Sequence, residues 1–176
     1  MLTSPHKEFH DAILAFIPKN RIYTDPLRLF AYGTDASVYR LTPKLVVDVL
    51  NEEEIVELMG VADRMRVPVT FRAAGTSLSG QAVTDSVLVR IGQGWRDWRV
   101  DEHAEKITLQ PGIIGSGANK ILAEFGKKIG PDPASIDSCF IGGIFANNAS
   151  GMCCGTSDNS YKTVLSTRMV LSDGTL

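Results

Sequence analysis

Two stretches of small and hydroxyl-bearing residues are the places where this chain could do chemistry. The first, Arg72-Ala73-Ala74-Gly75-Thr76-Ser77-Leu78-Ser79-Gly80-Gln81, follows directly on the apolar run Val67 to Phe71. Its glycines permit the backbone conformations and close approach that a ligand cradle needs, and successive backbone N–H groups in such a turn line a concavity suited to anions. Thr76, Ser77 and Ser79 add hydroxyl donors. Arg72 could add charge, its alternative use being a salt bridge at the strand end. This is the chemistry of holding a pyrophosphate, carried chiefly by the backbone from Ala73 to Gly80. The second stretch runs from Pro131-Asp132-Pro133-Ala134-Ser135 through Ser138, Ile141 and Gly142-Gly143 to Asn147-Asn148-Ala149-Ser150-Gly151. The prolines fix the direction of the segment. A short helix opening at Ser138 or Cys139 and running through Phe145 would turn its free N–H groups and dipole toward an anion, and Gly142-Gly143 would let that anion come close. For Asn147 and Asn148, ordinary turn and cap chemistry is the competing reading.

Other chemistries find no matching pattern. His6 and His10 stand at i and i+4, but the glutamate of an H-E-x-x-H site is misplaced and no third ligand is evident, so they read as solvent-facing residues of an amphipathic helix. Three cysteines, Cys139 and the adjacent pair Cys153-Cys154, build no disulfide framework and read as free thiols. The spacing of Gly112, Gly115 and Gly117 imitates a dinucleotide fingerprint without its preceding β-α-β order or its acidic residue. Gly126-Lys127-Lys128 lacks the earlier glycine and the following Ser or Thr of a phosphate-binding Walker loop. Trp95 and Trp98 read as packing residues in preference to platforms for a planar ligand.

The elements that must position the two stretches are legible in the hydrophobic pattern. Phe9, Ile13, Phe16 and Ile17 form a helical stripe that Pro18 ends. Asp25 to Tyr39 is turn-rich. Leu45 to Leu50 is a continuous apolar strand, and Asn51 with Glu54 predicts the capped start of a helix whose buried face is Ile55, Leu58, Met59, Ala62 and Met65. With Val67 to Phe71 as the returning strand, this is a β-α-β unit with parallel strands and a right-handed crossover. The first stretch then lies at the carboxyl end of a strand, where α/β sheets bind ligands. A third strand, Ser86 to Ile91, completes the layer. Val100-Asp101 and Lys106 to Gln110 pair around the turn Glu102 to Glu105, and a helix from about Ser116 to Phe125 buries Ala118, Ile121, Leu122 and Phe125 before Gly126 stops it. Val164 to Leu171 alternates as a strand covered on at least one face, entering a hairpin turn at Ser172-Asp173-Gly174-Thr175.

The ordered set Pro68-Val69-Thr70-Phe71-Arg72-Ala73-Ala74-Gly75-Thr76-Ser77-Leu78-Ser79-Gly80, Gln110-Pro111-Gly112, Gly130-Pro131-Asp132-Pro133-Ala134-Ser135, and Ile141-Gly142-Gly143 with Asn147 to Gly151 resembles the FAD-binding domain of the FAD-linked oxidase family. That is the PCMH-type fold shared by relatives of vanillyl-alcohol oxidase, and the resemblance is nearest to the branch of D-lactate and other D-2-hydroxy-acid dehydrogenases. Tyr32-Gly33-Thr34-Asp35 and Lys44-Leu45-Val46-Val47 also match, so it extends from about Ala31 to the C-terminus. The resemblance implies an α+β fold: a small parallel βαβ subdomain at about 31–95, then the start of a mainly antiparallel α+β subdomain at about 96–176, after a helical lead-in over 1–30. It implies FAD held by residues 72–81 and by Pro131, Ser135, Ser138, Ile141, Gly142, Gly143, Asn148, Ser150 and Gly151. Some relatives attach FAD covalently through a histidine in the first loop. This one reads Gly75-Thr76-Ser77 there, and its histidines are His6, His10 and His103, so non-covalent FAD is expected.

The implied activity is hydride transfer from a D-2-hydroxy acid such as D-lactate to FAD, with electrons passed on through an electron-acceptor or peripheral membrane contact. Family members continue past the length of this chain into the rest of the flavin domain and a substrate-binding cap. The expectation is therefore the FAD-binding part of a longer dehydrogenase, inactive alone, its catalytic residues supplied by later sequence. Two alternatives stand beside it: a reductase like that of UDP-N-acetylmuramate synthesis, and a non-catalytic half-domain that associates with itself or a partner protein through an unpaired sheet edge. With 44% hydrophobic and 22% charged residues and a formal net charge of −2 over 176 residues, nothing marks a nucleic-acid surface. No apolar run approaches the roughly 20 residues that span a bilayer, and Met1 to Lys7 lacks the pattern of a secretion signal, so a cytoplasmic location is expected.

Overall fold

A computed structural model describes residues 2–176. The chain divides into two units. One comprises the residues up to Arg72, Ser77–Gly94 and Arg168–Leu176, and the other Ala73–Thr76 and Trp95–Thr167.

In the first unit, helix α1 (His6–Ile13) buries Phe9 and Ile13, and Ile17 beyond its end is buried as well. The two histidines do not both face solvent. His10 sits beside Asp11, whereas His6 Nε2 is 2.8 Å from Ser86 Oγ, and burial, helped by Lys44, lowers its pKa. Strand β1 (Ile22–Tyr23) precedes the turn-rich region, which itself holds an element that its weak pattern concealed: helix α2 (Pro26–Tyr32), which Asp25 caps by accepting the Arg28 N–H at 3.0 Å.

Strand β2 (Leu45–Val49) leads through Asn51 into helix α3 (Glu52–Met65), and the Asn51 side chain accepts the Glu54 N–H at 2.9 Å as expected of an N-cap. Glu54 does not return the favour to Asn51. Its carboxylate accepts the Leu50 N–H at 2.9 Å and binds Arg21 through two bonds of 2.6 and 2.8 Å. Burial pushes the Glu54 pKa up, but those donors outweigh it and hold the group below the usual carboxylate range.

Strands β3 (Val69–Arg72) and β4 (Val87–Ile91) complete a sheet of order β1-β2-β4-β3. The β2-α3-β3 unit is parallel as predicted, yet its two strands are not neighbours: β4 lies between them, pairing Val47 with Val89 on one side and Phe71 with Val89 on the other. β1 closes the β2 edge antiparallel. Val46 and Leu88 are buried as fully as Val47 and Val89, the signature of a parallel layer covered on both faces. Phe9, Ile13, Leu45, Val47, Leu58, Val61, Val87 and Val89 form one apolar core with Ile55, Met59 and Met65 at its margin.

In the second unit, strands β5 (Trp98–Val100) and β6 (Ile107–Leu109) pair antiparallel. Helix α4 (Gly115–Ala123) buries Ala118 and Leu122, while Phe125, expected inside, lies beyond the helix and is exposed. Helices α5 (Ile141–Ala146) and α6 (Ser160–Thr163) follow. Trp95 is buried and Trp98 half-exposed. The alternating segment 164–171 forms no strand, and Leu165 and Met169 are exposed. Alternation suits a residue row to a sheet, but a strand exists only through a ladder, and this segment belongs to neither sheet. The turn after it does form: Leu171 N–H donates to Thr175 O at 2.7 Å. Among the described residues, no helix is long and apolar enough to cross a membrane.

Candidate functional site

The loop after β3 combines glycine geometry with unused donors. Gly75 and Gly80 adopt φ of 73° and 72°, conformations open to glycine at little cost. Among the described residues, the backbone N–H groups of Ala74, Gly75, Thr76, Ser77 and Leu78 find no acceptor within the protein. Backbone donors normally find a partner in the fold or in water, so a row of open amides at the end of a parallel strand is an array suited to an anion. The rest of the loop braces itself. Ser77 Oγ donates to Gln81 Oε1 at 2.6 Å, Ser79 N–H donates to Ser77 Oγ at 3.2 Å, and a Cβ on Gly80 would stand 2.6 Å from the Tyr39 ring. Leu78 projects outward, 77% exposed.

Arg72 sits at the root of this loop and is 7% exposed. Its Nε donates to Ala82 O at 2.9 Å and its Nη2 to the same oxygen. That tie joins the first residue of the loop to the residue just past its end. Burial lowers the guanidinium pKa, with the Asp35 carboxylate acting in the opposite sense. The Arg72 side chain is thus engaged with protein backbone.

Within the second unit, Ala73–Thr76 share a compact body with Pro131, Ser135, Ser138, Ile141, Gly142, Gly143, Asn148, Ser150 and Gly151. Ser135 O accepts the N–H groups of Ser138 and Cys139, both at 2.8 Å, winding the chain before α5. The helix begins later than the sequence predicts, after Phe140, whose backbone is extended, and its first two N–H groups are not free for an anion as expected: Ile141 and Gly142 donate to Ile113 O and Pro111 O at 2.8 and 3.0 Å. Gly142 is pressed on Pro111, where a Cβ would lie 2.8 Å from the proline Cβ; a Cβ on Gly143 would meet only Ala73 Cβ at 3.6 Å. Gly142 is therefore a packing glycine, and Gly143 leaves space beside the first loop.

Asn148 takes φ of 46°, and its side-chain oxygen accepts the Tyr161 N–H at 3.0 Å. Cap chemistry thus occupies that oxygen. The hydroxyl of buried Ser160 donates to Ile144 O and Ala149 O at 3.1 and 3.0 Å, closing the chain after α5. Asp132 also belongs to this unit, although it is not among the site residues that the sequence predicts. Its two carboxylate oxygens accept the Cys153 and Cys154 N–H groups at 3.0 and 3.1 Å, and its place between Pro131 and Pro133 was the available signal. All three cysteines are free, and no group of metal-ligating side chains occurs among the described residues.

Comparison with known proteins gives this geometry a context. Residues 43–176 match the family described as FAD binding domain. The glycolate oxidase subunit GlcD of Escherichia coli K12 is 32% identical over 146 residues, covering 81% of this chain and 29% of that protein. The D-2-hydroxyglutarate dehydrogenase of Pseudomonas putida is 24% identical over 173 residues, covering 96% of this chain and 17% of that protein. This chain thus spans less than a third of the length of either relative. Among solved structures, Phl p 4, a grass pollen allergen with glucose dehydrogenase activity, superposes with a TM-score of 0.77 at 17% identity over 94% of this chain and 36% of the other. That is a likeness of fold. With the match spanning most of the sequence, the chain belongs to the FAD-linked oxidase family, its fold is the PCMH-type FAD-binding fold, and FAD is its cofactor.

Proposed function

We propose that this chain is the FAD-binding part of a flavin-dependent dehydrogenase of 2-hydroxy acids, D-lactate among them, working in the cytoplasm with FAD held non-covalently. The observation that carries the reading is the row of open N–H groups from Ala74 to Leu78 at the end of β3, which fits the pyrophosphate that FAD has and FMN lacks. Arg72 holds the base of that loop, Gly143 leaves room beside Ala73, and the stretches around Pro131 to Ser138 and Asn148 to Gly151 line the same unit. When bound, FAD supplies the two-electron acceptor for the hydride on C2 of the hydroxy acid. This chain's own residues bind and orient it. Relatives named for glycolate and D-2-hydroxyglutarate support the substrate class. The base that takes the hydroxyl proton and the groups that hold the substrate carboxylate are assigned to the remainder of a longer protein, so this chain alone binds flavin without turnover.

The test is a titration of the purified chain with FAD and with FMN, read by quenching of flavin fluorescence, beside the double variant Gly75→Asp, Gly143→Asp. Saturable FAD binding with much weaker FMN binding, lost in the variant, is the expected result. Equal binding of FAD and FMN, or binding untouched by the two carboxylates, would overturn the assignment of the loop.

A further inference from the structure

Asp132 ties together two arms of the second unit that are distant in sequence. Its Oδ2 accepts the Cys153 N–H at 3.0 Å and its Oδ1 the Cys154 N–H at 3.1 Å, bonds that bridge 21 and 22 residues. Consecutive N–H groups converging on one acceptor make a nest for an anion, and here the protein fills its own nest. The loop is drawn tight against the same residue from another direction: a Cβ on Gly151 would overlap both the Asp132 carbonyl oxygen and its Oδ1. Gly151 N–H in turn donates to Cys154 Sγ at 3.0 Å, and Gly155 N–H to Gly151 O at 3.1 Å, so the segment from Gly151 to Gly155 closes on itself around the carboxylate. These donors hold the Asp132 pKa down to about 2, chiefly through Cys154, which keeps the acceptor ionised under any ordinary condition.

We propose that Asp132 is a positioning residue for the flavin: its carboxylate sets the path of Asn148 to Gly151 relative to Pro131 to Ser135, and flavin affinity depends on that tie. The inference rests on the flavin reading of these two arms. Asp132 itself need not touch the cofactor. Its neighbours on either side, Pro131 and Ser135 in one arm and Ser150 and Gly151 in the other, are the residues offered to it. Charge-assisted bonds to backbone N–H groups are among the stronger polar contacts of a protein, and losing one acceptor leaves an amide of the loop without its partner.

The experiment compares the unmodified chain with Asp132→Asn, Asp132→Glu and, as a control for charge, Asp137→Asn, whose side chain is exposed. Two quantities are read for each: hydrogen exchange of the Cys153 and Cys154 amides by NMR without flavin, and the FAD dissociation constant by fluorescence quenching, with thermal denaturation of the flavin-free chain recording the fold. In Asp132→Asn, whose amide group keeps only one acceptor oxygen, one of the two amides loses protection and FAD binds about tenfold more weakly, while Asp137→Asn matches the unmodified chain in both. Across the folded variants, affinity follows protection of the two amides. Should Asp132→Asn fail to fold, Asp132→Glu carries the same correlation with charge and both oxygens retained. A variant with lost protection and unchanged FAD affinity, or unchanged protection in Asp132→Asn, overturns the proposal. Absence of saturable FAD binding by the unmodified chain overturns the flavin reading itself, and the proposal with it, which is a different outcome from equal binding by all four proteins.

Discussion

The two units hold their shape by opposite means. The first is organised by what side chains fill: a parallel layer with Val47, Val87 and Val89 fully buried, α1 and α3 supplying Phe9, Ile13 and Leu58 to the same core, and a pair of charges, Arg21 and Glu54, locked together at its margin. The second has a single two-stranded ladder. Beside a small buried set that includes Trp95, Ile113, Ala118, Leu122 and Ile144, its order leans on backbone bonds that tie 111–116 to 136–142, and on glycines where a side chain would not fit, such as Gly142 on Pro111 and Gly151 on Asp132. The contrast bears on the cofactor surface proposed above. A core is built by adding apolar volume, whereas a surface that meets a polyanion through its main chain is built by removing side chains and leaving donors open. The first unit should therefore fail when atoms are taken away, and the second when atoms are added.

The largest effect is expected at the charged margin of the first unit. Glu54→Gln leaves Arg21, whose side chain is 17% exposed, without its counter-charge, and removing one partner of such a pair costs about 3–5 kcal/mol in chemical denaturation. The same variant sharpens a pH dependence. Because the folded pKa of Glu54 lies below its ordinary value of 4.5, the native state binds fewer protons there, and the pair contributes stability above about 4.5 that is lost as pH falls through the folded value. Denaturation midpoints measured from pH 6 down to pH 3 should fall less steeply in Glu54→Gln. Leu58→Ala, which empties a fully buried position on α3, should cost about 2–5 kcal/mol. If either change costs less than about 1 kcal/mol, the first unit is not held by filling in the way described.

Adding atoms to the second unit separates packing glycines from glycines with space. Gly142→Ala drives a Cβ against Pro111 and should destabilise by about 1–3 kcal/mol. Gly143→Ala, next to it in α5, meets only Ala73 at contact distance. It should stabilise the flavin-free chain by about 0.5–1 kcal/mol through helix propensity, so weaker FAD binding by that variant would report the ligand in place of the fold. Equal stability changes in the two would break the distinction. The smallest effect belongs to Arg168, which donates to both Glu52 oxygens at 2.7 and 2.8 Å but has a side chain 69% exposed. Arg168→Ala should leave the denaturation midpoint nearly unchanged, and any shift should shrink further in high salt.

Much of this arrangement was legible from local pattern. The helical stripe of α1 and the strand and capped helix of β2 and α3 are read from residues within a few positions of one another, and the structure has them where the periodicity puts them, whereas β5 lies at Trp98–Val100 in place of Val100-Asp101 and α4 ends at Ala123. The loop from Arg72 to Gln81 was legible for the same reason: glycine spacing, hydroxyl content and position after a strand are properties of ten consecutive residues. Phe125 departs from the pattern because its stripe runs two residues past the end of α4 at Ala123, and α2 carries no local signature because Leu27, Phe30 and Tyr32 form no buried stripe.

By itself, then, the sequence determined the stripe of α1, the strand β2, the helix α3 with its Asn51 cap, and the glycine loop after β3, since these follow from dihedral preference, periodicity and hydrogen-bonding capacity along the chain. Only the tertiary structure decided that β4 would separate β2 from β3, that Arg21 would find Glu54 across 33 residues, and that Asp132 would close on Cys153 and Cys154. It also decided that 164–171, patterned as a strand, would remain unpaired. The physical reason is common to all four: a ladder, an ion pair or a filled nest exists only between partners, and which partners meet is set by the closure of the whole chain and the burial it achieves.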